Sequence, residues 1–439
     1  MDIAAWMVRF NEWWKTGEVR RELKREKHRA LFQEVSKYVE DRQVVAVVGL
    51  RRTGKTTLMY QLIDHLLGSG VNPKNILYFS FDEVISTEPE VLEKVIESYR
   101  KMILKSEEKT YIFLDEVQYV EKWQAVVKRY YDLYPDMKFF VSGSASLYIK
   151  KAKESLVGRI YEFMLPPLSF REFLEMKGLH LLVDIAKFEF EAIEKCYKRL
   201  LLHRDEIETY LSEYMIKGGF PEILDEKSTE RIHKYLRTGT DRIIFQDLPK
   251  VFGIKEPALL IELLKIIAAQ SGCVLEYEGI GKSLKITRQS VSNYMLYLQE
   301  SFLVRMLMNY TGSYLAGTRK AKKFYIRDNG IMNALLEKGE EVFSEEYAGR
   351  LMENLVVNHL DPKYFWRRDY EVDIVLKKDG LIPVEVKYRT DPTDITGLRK
   401  FMDSFGSSKG IVITKDTLKQ NKFGGGEILF VPAWLFLCI

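Results

Sequence analysis

The stretch GLRRTGKTT, from Gly49 to Thr57, has the residue types and spacing of a phosphate cradle. Gly49 and Gly54 let the backbone curl so that successive N–H groups aim at phosphate oxygens. Arg51, Arg52 and Thr53 lie in the same turn. Lys55 can reach the β- and γ-phosphates of a nucleoside triphosphate, the Thr56 hydroxyl can ligate Mg2+, and Thr57 supports the loop. The apolar run QVVAVV precedes this stretch and KTTLMYQLIDHLLGS follows it. A buried strand before the loop and a helix after it form the context such a motif requires, and the helix N-terminus adds a favourable dipole.

Phosphate chemistry also needs carboxylates. YIFLDEV runs apolar up to Asp115, which places that carboxylate at a strand's C-terminal end. Asp115 can hold Mg2+ through water, and Glu116 can orient and deprotonate an attacking water. An Asp-Glu pair at a strand end can equally cap a helix. FFVSGSASL ends the next strand with Ser142 and Ser144, which can sense a γ-phosphate or simply form a turn. Arg159, in SLVGRIYEF, is the candidate arginine finger, acting in its own chain or offered to a neighbour; Arg51 and Arg52 are alternatives.

A second set of charged residues lies near the end of the chain. YFWRRDYEVDIVLKKDGLIPVEVKYRT reads as three strands with a tight turn at Asp379-Gly380. Side chains alternate along a strand, so Glu371 and Asp373 share one face, as do Glu385 and Lys387. Across the hairpin, Asp373, Glu385 and Lys387 can converge, and Glu353 on the helix EEYAGRLMENLVVNHL can join them. Alternating charges on a hairpin are also common surface decoration.

Between these sets lies a run of short helices. Thr287 reads as the N-cap of RQSVSNYMLYLQES, with Val291, Met295 and Leu298 on a core face. Arg288, Gln289, Ser292 and Asn293 fall on the open face, residue types that read base edges and phosphates. FLVRML and KKFYIRD suit wing strands. The run GTRKAKK between them supplies Arg319, Lys320, Lys322 and Lys323 for DNA phosphates. The same arrangement also serves protein contacts.

The elements that must position these groups follow from patterning. Strands near 43–48, 75–81, 110–117 and 138–144 alternate with helices, which implies a doubly wound parallel α/β sheet. Residues 1–42 read as one helix rich in Lys, Arg and Glu, either solvated and laced with ion pairs or a basic arm near nucleic acid. Residues 171–250 read as helical, broken at KGGFPEIL and QDLPKVFG. From 343 the order is helix, three strands, helix, strand. A chain of 439 residues needs several cores. The expected division is a basic helix over 1–30, a P-loop domain over 31–170, a helical lid over 171–252, a winged helix over 253–330 and an αβ domain over 331–439.

Composition narrows the partners. The 67 basic residues nearly balance 63 acidic ones, for a net charge of +4, so composition alone does not argue for nucleic acid. No run is long and apolar enough to span a membrane, and no secretory leader is visible. Cys196, Cys273 and Cys438 match no zinc or redox spacing. A soluble protein in a reducing, cytoplasmic compartment is expected.

Taken in order, GLRRTGKTTL, IFLDEVQ, SGSASL, LVGR and LPPLSFREFL resemble archaeal and bacterial AAA-superfamily ATPases, and KGGFPEIL resembles the lid of that group. The resemblance implies ATP and Mg2+ as cofactors. It also implies a helical lid, a winged helix-turn-helix and a C-terminal restriction-endonuclease-like domain akin to PD-(D/E)xK nucleases. In such a nuclease Asp373 and Glu385 would hold one or two Mg2+ or Mn2+, with Glu353 as a further ligand. Lys387 would position the water and offset developing charge. The resemblance suggests action on DNA, with branched DNA as an analogy at fold level. A protein partner, self-association and a nucleotide-driven switch with a non-catalytic last domain are compatible with the same residues.

Overall fold

The computed structural model describes residues 3–82, 88–104, 108–143, 156–181, 188–313, 322–378, 380–423 and 425–439. The chain divides into two compact units, Met1–Pro166 and Pro167–Ile439.

The first unit is built on a five-stranded parallel sheet: β1 (Val44–Val48), β2 (Ile76–Ser80), β3 (Thr110–Asp115), β4 (Met137–Gly143) and β5 (Ile160–Met164), in the order β2-β3-β4-β1-β5. Every residue of β1, β3 and β4 is buried, as strands covered on both faces must be. Helices Lys55–Gly68, Pro89–Met102 and Trp123–Leu133 link them. Because β4 lies between β1 and β3, the loop after β1 and the carboxylates after β3 open onto one crevice at the strands' C-terminal ends.

The segment before β1 is not the single helix its composition predicts. It forms four short helices, Ile3–Phe10, Trp13–Thr16, Arg21–Lys24 and Ala30–Val35, the second ended by Gly17 at φ 77°. Nor is it a free basic arm. Trp13 and Val19 share a hydrophobic core with Val45 and Leu58. Three of its basic residues are paired: Arg20 with Glu12 and Arg21 with Glu26 inside the segment, and Lys24 with Asp64 of the helix after the loop at 2.7 Å. The segment also covers the exposed edge of β2. Asn11 Nδ2 donates to the Tyr78 carbonyl at 2.7 Å while its Oδ1 accepts from the Tyr78 N–H at 2.6 Å. The indoles of Trp13 and Trp14 donate to the Ile76 carbonyl. Side chains thus satisfy backbone groups that another strand would otherwise pair.

The second unit opens with helices Phe170–Lys177, Phe190–Leu200, Arg204–Lys217 and Thr229–Arg242. A break is expected at QDLPKVFG. Instead a π-helical turn, Ile243–Asp247, carries the chain into helix Leu248–Phe252, placing Pro249 at a helix start where its missing N–H costs nothing. At KGGFPEIL the chain does leave the helix. The Gly219 N–H donates to Asp328 Oδ2 at 2.8 Å, and a Cβ on Gly218 would lie 2.1 Å from Asp328 Oδ1. Asn333 Nδ2 donates to the carbonyls of Met215 and Ile216, satisfying a helix end that would otherwise be orphaned.

Helices Pro257–Ala269, Tyr277–Leu284 and Arg288–Glu300 lead into a nine-stranded mixed sheet. Its strands are β6 (Val274–Leu275), β7 (Val304–Asn309), β8 (Lys322–Ile326), β9 (Tyr364–Arg367), β10 (Glu371–Lys377), β11 (Leu381–Lys387), β12 (Lys409–Thr414), β13 (Lys419–Phe423) and β14 (Gly426–Pro432), in the order β13-β14-β12-β11-β10-β9-β7-β8-β6. Parallel pairing of Met308 with Tyr364 and of Asn309 with Phe365 makes the sheet continuous. The hairpin β13–β14 adds two strands to the single one expected at the end. KQNKF in β13 is half-buried or exposed throughout and has no apolar alternation to reveal it.

Candidate active site

In the first unit the loop between β1 and helix Lys55–Gly68 has the curvature its glycines promise. Gly49 has φ 149°, and a Cβ there would lie 2.3 Å from the Leu165 carbonyl oxygen. Gly54 has φ 99° and Arg52 has φ 66°. The loop is braced from within by Thr53 Oγ1, which donates to the Leu50 carbonyl at 2.9 Å. From outside it is braced by Arg29, whose guanidinium donates to the carbonyls of Thr53 and Pro166, both at 2.9 Å. Arg29 is buried and was legible only as one more charge in a basic segment.

Lys55 Nζ is buried, donating to the carbonyls of Gly49 and Leu50 at 3.1 and 2.9 Å, and stands 3.9 Å from Glu116 Oε1. Thr56 Oγ1 donates to Asp115 Oδ2 at 2.7 Å, and Tyr78 donates to the same oxygen at 2.8 Å. Ser142 donates to the other oxygen, Oδ1, and accepts from the Glu116 N–H at 3.2 Å. Glu116 adopts φ 52° and accepts from Gln118 Nε2. Burial, then the charge of Glu116, pushes the Asp115 carboxyl above its ordinary range, against the pull of Ser142, Thr56 and Tyr78. A hydroxyl and a buried carboxylate side by side are hard oxygen donors that fit Mg2+. Arg51 donates to the Tyr119 hydroxyl at 2.5 Å and to Asp82 at 3.1 Å, so it is held beside the loop.

Ser142 is wholly buried, and its hydroxyl donates to Asp115 and accepts from the Glu116 N–H, so it positions the carboxylates beside the loop. Arg159 lies at the wrong end of the sheet for a finger in its own chain. Its carbonyl pairs with the Val44 N–H at the start of β1, a full strand away from the loop after Val48, and its side chain pairs with Asp132 at 3.1 Å. Ser144, Arg319 and Lys320 lie outside the described residues.

In the second unit, Thr287 caps helix Arg288–Glu300 by accepting from the Ser290 N–H at 3.1 Å. Val291, Met295 and Leu298 are buried, whereas Arg288, Gln289 and Asn293 are exposed and Ser292 is half-buried. Lys322 is half-buried.

Lys323 departs from expectation. Its ammonium does not face solvent with the basic run but is 1% exposed, because three carboxylates face it from inside the unit. Nζ lies 2.6 Å from Glu371 Oε1, 3.4 Å from Asp373 Oδ1 and 3.6 Å from Glu353 Oε1. The same carboxylates accept further hydrogen bonds from the protein. Tyr325 donates to Glu353 Oε1 at 2.7 Å, and the Val386 N–H donates to Asp373 Oδ2 at 2.9 Å. Gly272, at φ 84°, brings backbone so close that a Cβ would lie 2.8 Å from Glu353 Oε1. Glu385 pairs with Lys387 at 2.8 Å, and its buried Oε2 has no partner. Burial and the charge of Asp373 push both Glu353 and Glu385 up to about 7.

With the Lys323 ammonium between them, Glu353 and Asp373 do not fit a divalent metal in this arrangement, whereas Glu385 is paired with Lys387 and keeps an unpartnered oxygen. Among the described residues no group of three or more His, Cys, Asp and Glu side chains is placed to hold one. Alternation put Glu371 on the face of Asp373 without assigning it to the site, and Tyr325 and Lys323 were missed as members of this cluster because alternation relates neighbours on a hairpin but not residues from the distant strand β8.

Residues 41–174 match a family described as an AAA domain, and residues 208–342 and 348–436 match two domains of unknown function, DUF8612 and DUF4143. A protein of Haemophilus influenzae named only as uncharacterized is 26% identical over 426 residues, 92% of this chain and 97% of that one. Another such protein, from Methanocaldococcus jannaschii, is 26% identical over 438 residues, 95% of this chain and 90% of its own. Among solved structures, a Walker-type ATPase of Pyrococcus abyssi is similar over 73% of this chain and 99% of its own, at 15% identity and a TM-score of 0.46. The Orc1 protein of Aeropyrum pernix, solved in complex with DNA, is similar over 75% and 96%, at 14% identity and a TM-score of 0.30. No helix among the described residues is long and apolar enough to cross a membrane. With the loop, the carboxylate pair and the parallel sheet that carries them, residues 41–174 form an AAA-type P-loop ATPase domain.

Proposed function

We propose that this chain hydrolyses ATP in its first unit and engages DNA through its second, as a nucleotide-driven switch. The observation that carries the ATPase half is the 2.7 Å contact between Thr56 and Asp115 with Lys55 and Glu116 at 3.9 Å beside it. Lys55 would exchange two loop carbonyls for phosphate oxygens, the loop N–H groups would bind the phosphates, and Glu116 would orient the attacking water. Thr56 and Asp115 would hold Mg2+, which neutralises charge on the phosphates.

The DNA half is supported by Arg288, Gln289 and Asn293 standing exposed at the start of a helix whose other face is core. In this reading residues 171–252 form a lid, 253–330 a winged helix and 331–439 a restriction-endonuclease-like domain. Arg159 keeps a role only toward a neighbouring chain. The test is ATP hydrolysis with and without duplex DNA, together with DNA affinity across a salt series. Arg288→Ala with Asn293→Ala should weaken binding by about tenfold or more. Hydrolysis that ignores DNA, with no binding at low salt, would instead favour a switch that acts on a protein partner.

A second reading, metal-dependent cleavage by Asp373, Glu385 and Lys387, is favoured by one observation. Glu385 is buried, holds Lys387 at 2.8 Å and keeps an unpartnered oxygen. It requires Lys323 to leave the cluster. Linear, flapped and four-way-branched DNA with Mg2+ or Mn2+ tests it, since cutting lost in Asp373→Ala would establish a nuclease.

A further inference from the structure

We propose that Lys323 is a built-in cation that holds the acidic cluster of the second unit in place of a divalent metal, so that this domain binds without cutting. The ammonium stands within 4 Å of Glu371, Asp373 and Glu353, which come from β10 and from helix Glu345–Leu360. A buried cation is stable only when paired and hydrogen-bonded, and three carboxylates in turn need positive charge among them. One lysine meets both needs.

Two of the cluster's oxygens are already engaged by protein donors. The Val386 N–H occupies Asp373 Oδ2, and Tyr325 with Lys323 occupies Glu353 Oε1. A Mg2+ or Mn2+ placed between Glu353 and Asp373 would stand against the ammonium, a like-charge contact in a desolvated site. The lysine that a nuclease mechanism would use is a different one. Lys387 is paired with Glu385 on β11, whereas Lys323 comes from β8 and is surplus to that chemistry. The burial of Lys323 also removes it from the phosphate contacts although it closes a basic run, because a side chain 2% exposed cannot reach a nucleic-acid backbone without breaking the cluster.

This inference rests on the restriction-endonuclease-like reading only for the expectation that a metal would bind there at all. Its test is Mn2+ binding to the nucleotide-free full chain by electron paramagnetic resonance, with Thr56→Ala in the background to weaken the P-loop as a competing site. The chain carrying Lys323 should show no Mn2+ binding that depends on Asp373. Lys323→Gln should gain one Mn2+ per chain at least tenfold more tightly and should melt at higher temperature with Mn2+ than without. Adding Asp373→Asn should abolish both gains. Asp373-dependent Mn2+ binding in the chain that keeps Lys323 would overturn the proposal, as would a folded Lys323→Gln chain that gains no site. If Lys323→Gln does not fold, the comparison of the Lys323 chain with its Asp373→Asn variant decides alone. Failure of the ATPase and DNA reading would appear separately, as absent hydrolysis or DNA binding in the unaltered chain, and would leave the Mn2+ result standing.

Discussion

Lys323 on β8 meets Glu371 on β10 at 2.6 Å, although β7 and β9 lie between their strands in hydrogen-bonding order. Neighbouring strands sit roughly 4.8 Å apart, so a flat sheet would separate the two backbones by about 14 Å. The two long side chains close that gap: Lys323 Nζ lies 5.5 Å from the ring of Phe365 on β9, and β7 is joined to β9 by the pairing of Met308 with Tyr364 and of Asn309 with Phe365. That reach gathers residues distant along the sheet into one electrostatic cluster.

Removing the cation should cost stability. Lys323→Met leaves Glu353, Glu371 and Asp373 without their shared counter-charge and should destabilise the second unit by about 3–5 kcal/mol. Urea denaturation followed by tryptophan fluorescence measures the shift, and an unchanged midpoint would show that the cluster does not need the lysine.

The P-loop residues should separate binding from chemistry. Glu116→Gln should lower ATP hydrolysis by about a hundredfold or more with nucleotide affinity nearly unchanged. Lys55→Ala should lose both, because it removes the charge that meets the phosphates. Phosphate release and equilibrium binding of a fluorescent nucleotide, measured on the same preparations, tell the two apart.

Asn11 should matter more than its place near the chain start suggests. Asn11→Ala strands the Tyr78 N–H and carbonyl at the edge of β2. A loss of about 1–3 kcal/mol per buried unsatisfied group is expected. The first unit's thermal midpoint should fall, and Asn11→Asp, which keeps only the acceptor, should fall as well.

Asp328 should make the second unit's stability depend on pH. Burial pushes its carboxyl up to about 6 from an ordinary 3.8, against hydrogen bonds from Gly219, Ile331 and Gly330 that lower it. Between those values the folded state binds a proton that the unfolded state has released. The Asp328 contribution therefore falls as pH rises from about 4 to about 6 and is level above that. Asp328→Asn should remove this component, read as the difference between variant and unaltered chain in urea midpoints across that range.

Much of the nucleotide site was legible in the sequence because its chemistry is local. Gly49, Gly54, Lys55 and Thr56 lie within one turn, and the apolar runs before the loop and before Asp115 bring both to strand ends by the simple logic of a parallel sheet. Thr287 as a helix cap, and the buried face of Val291, Met295 and Leu298, are local in the same sense. The groups that hold the site in place were not legible. Arg29 reaches the loop from a segment that reads as surface helix, and Tyr78 reaches Asp115 from a neighbouring strand.

By itself the sequence determined the phosphate loop, its carboxylate partners and the alternation that places Asp373 and Glu385 on opposing strands of a hairpin. Tertiary structure decided what those groups face. Arg159 sits at the far end of β5, Ser142 is spent behind Asp115, and Lys323 turns inward to three carboxylates. Periodicity specifies which side of an element a residue occupies. Only strand order, sheet curvature and the packing of distant segments specify which charges come within a few ångströms, and that distance sets whether a carboxylate pair receives a metal or a lysine.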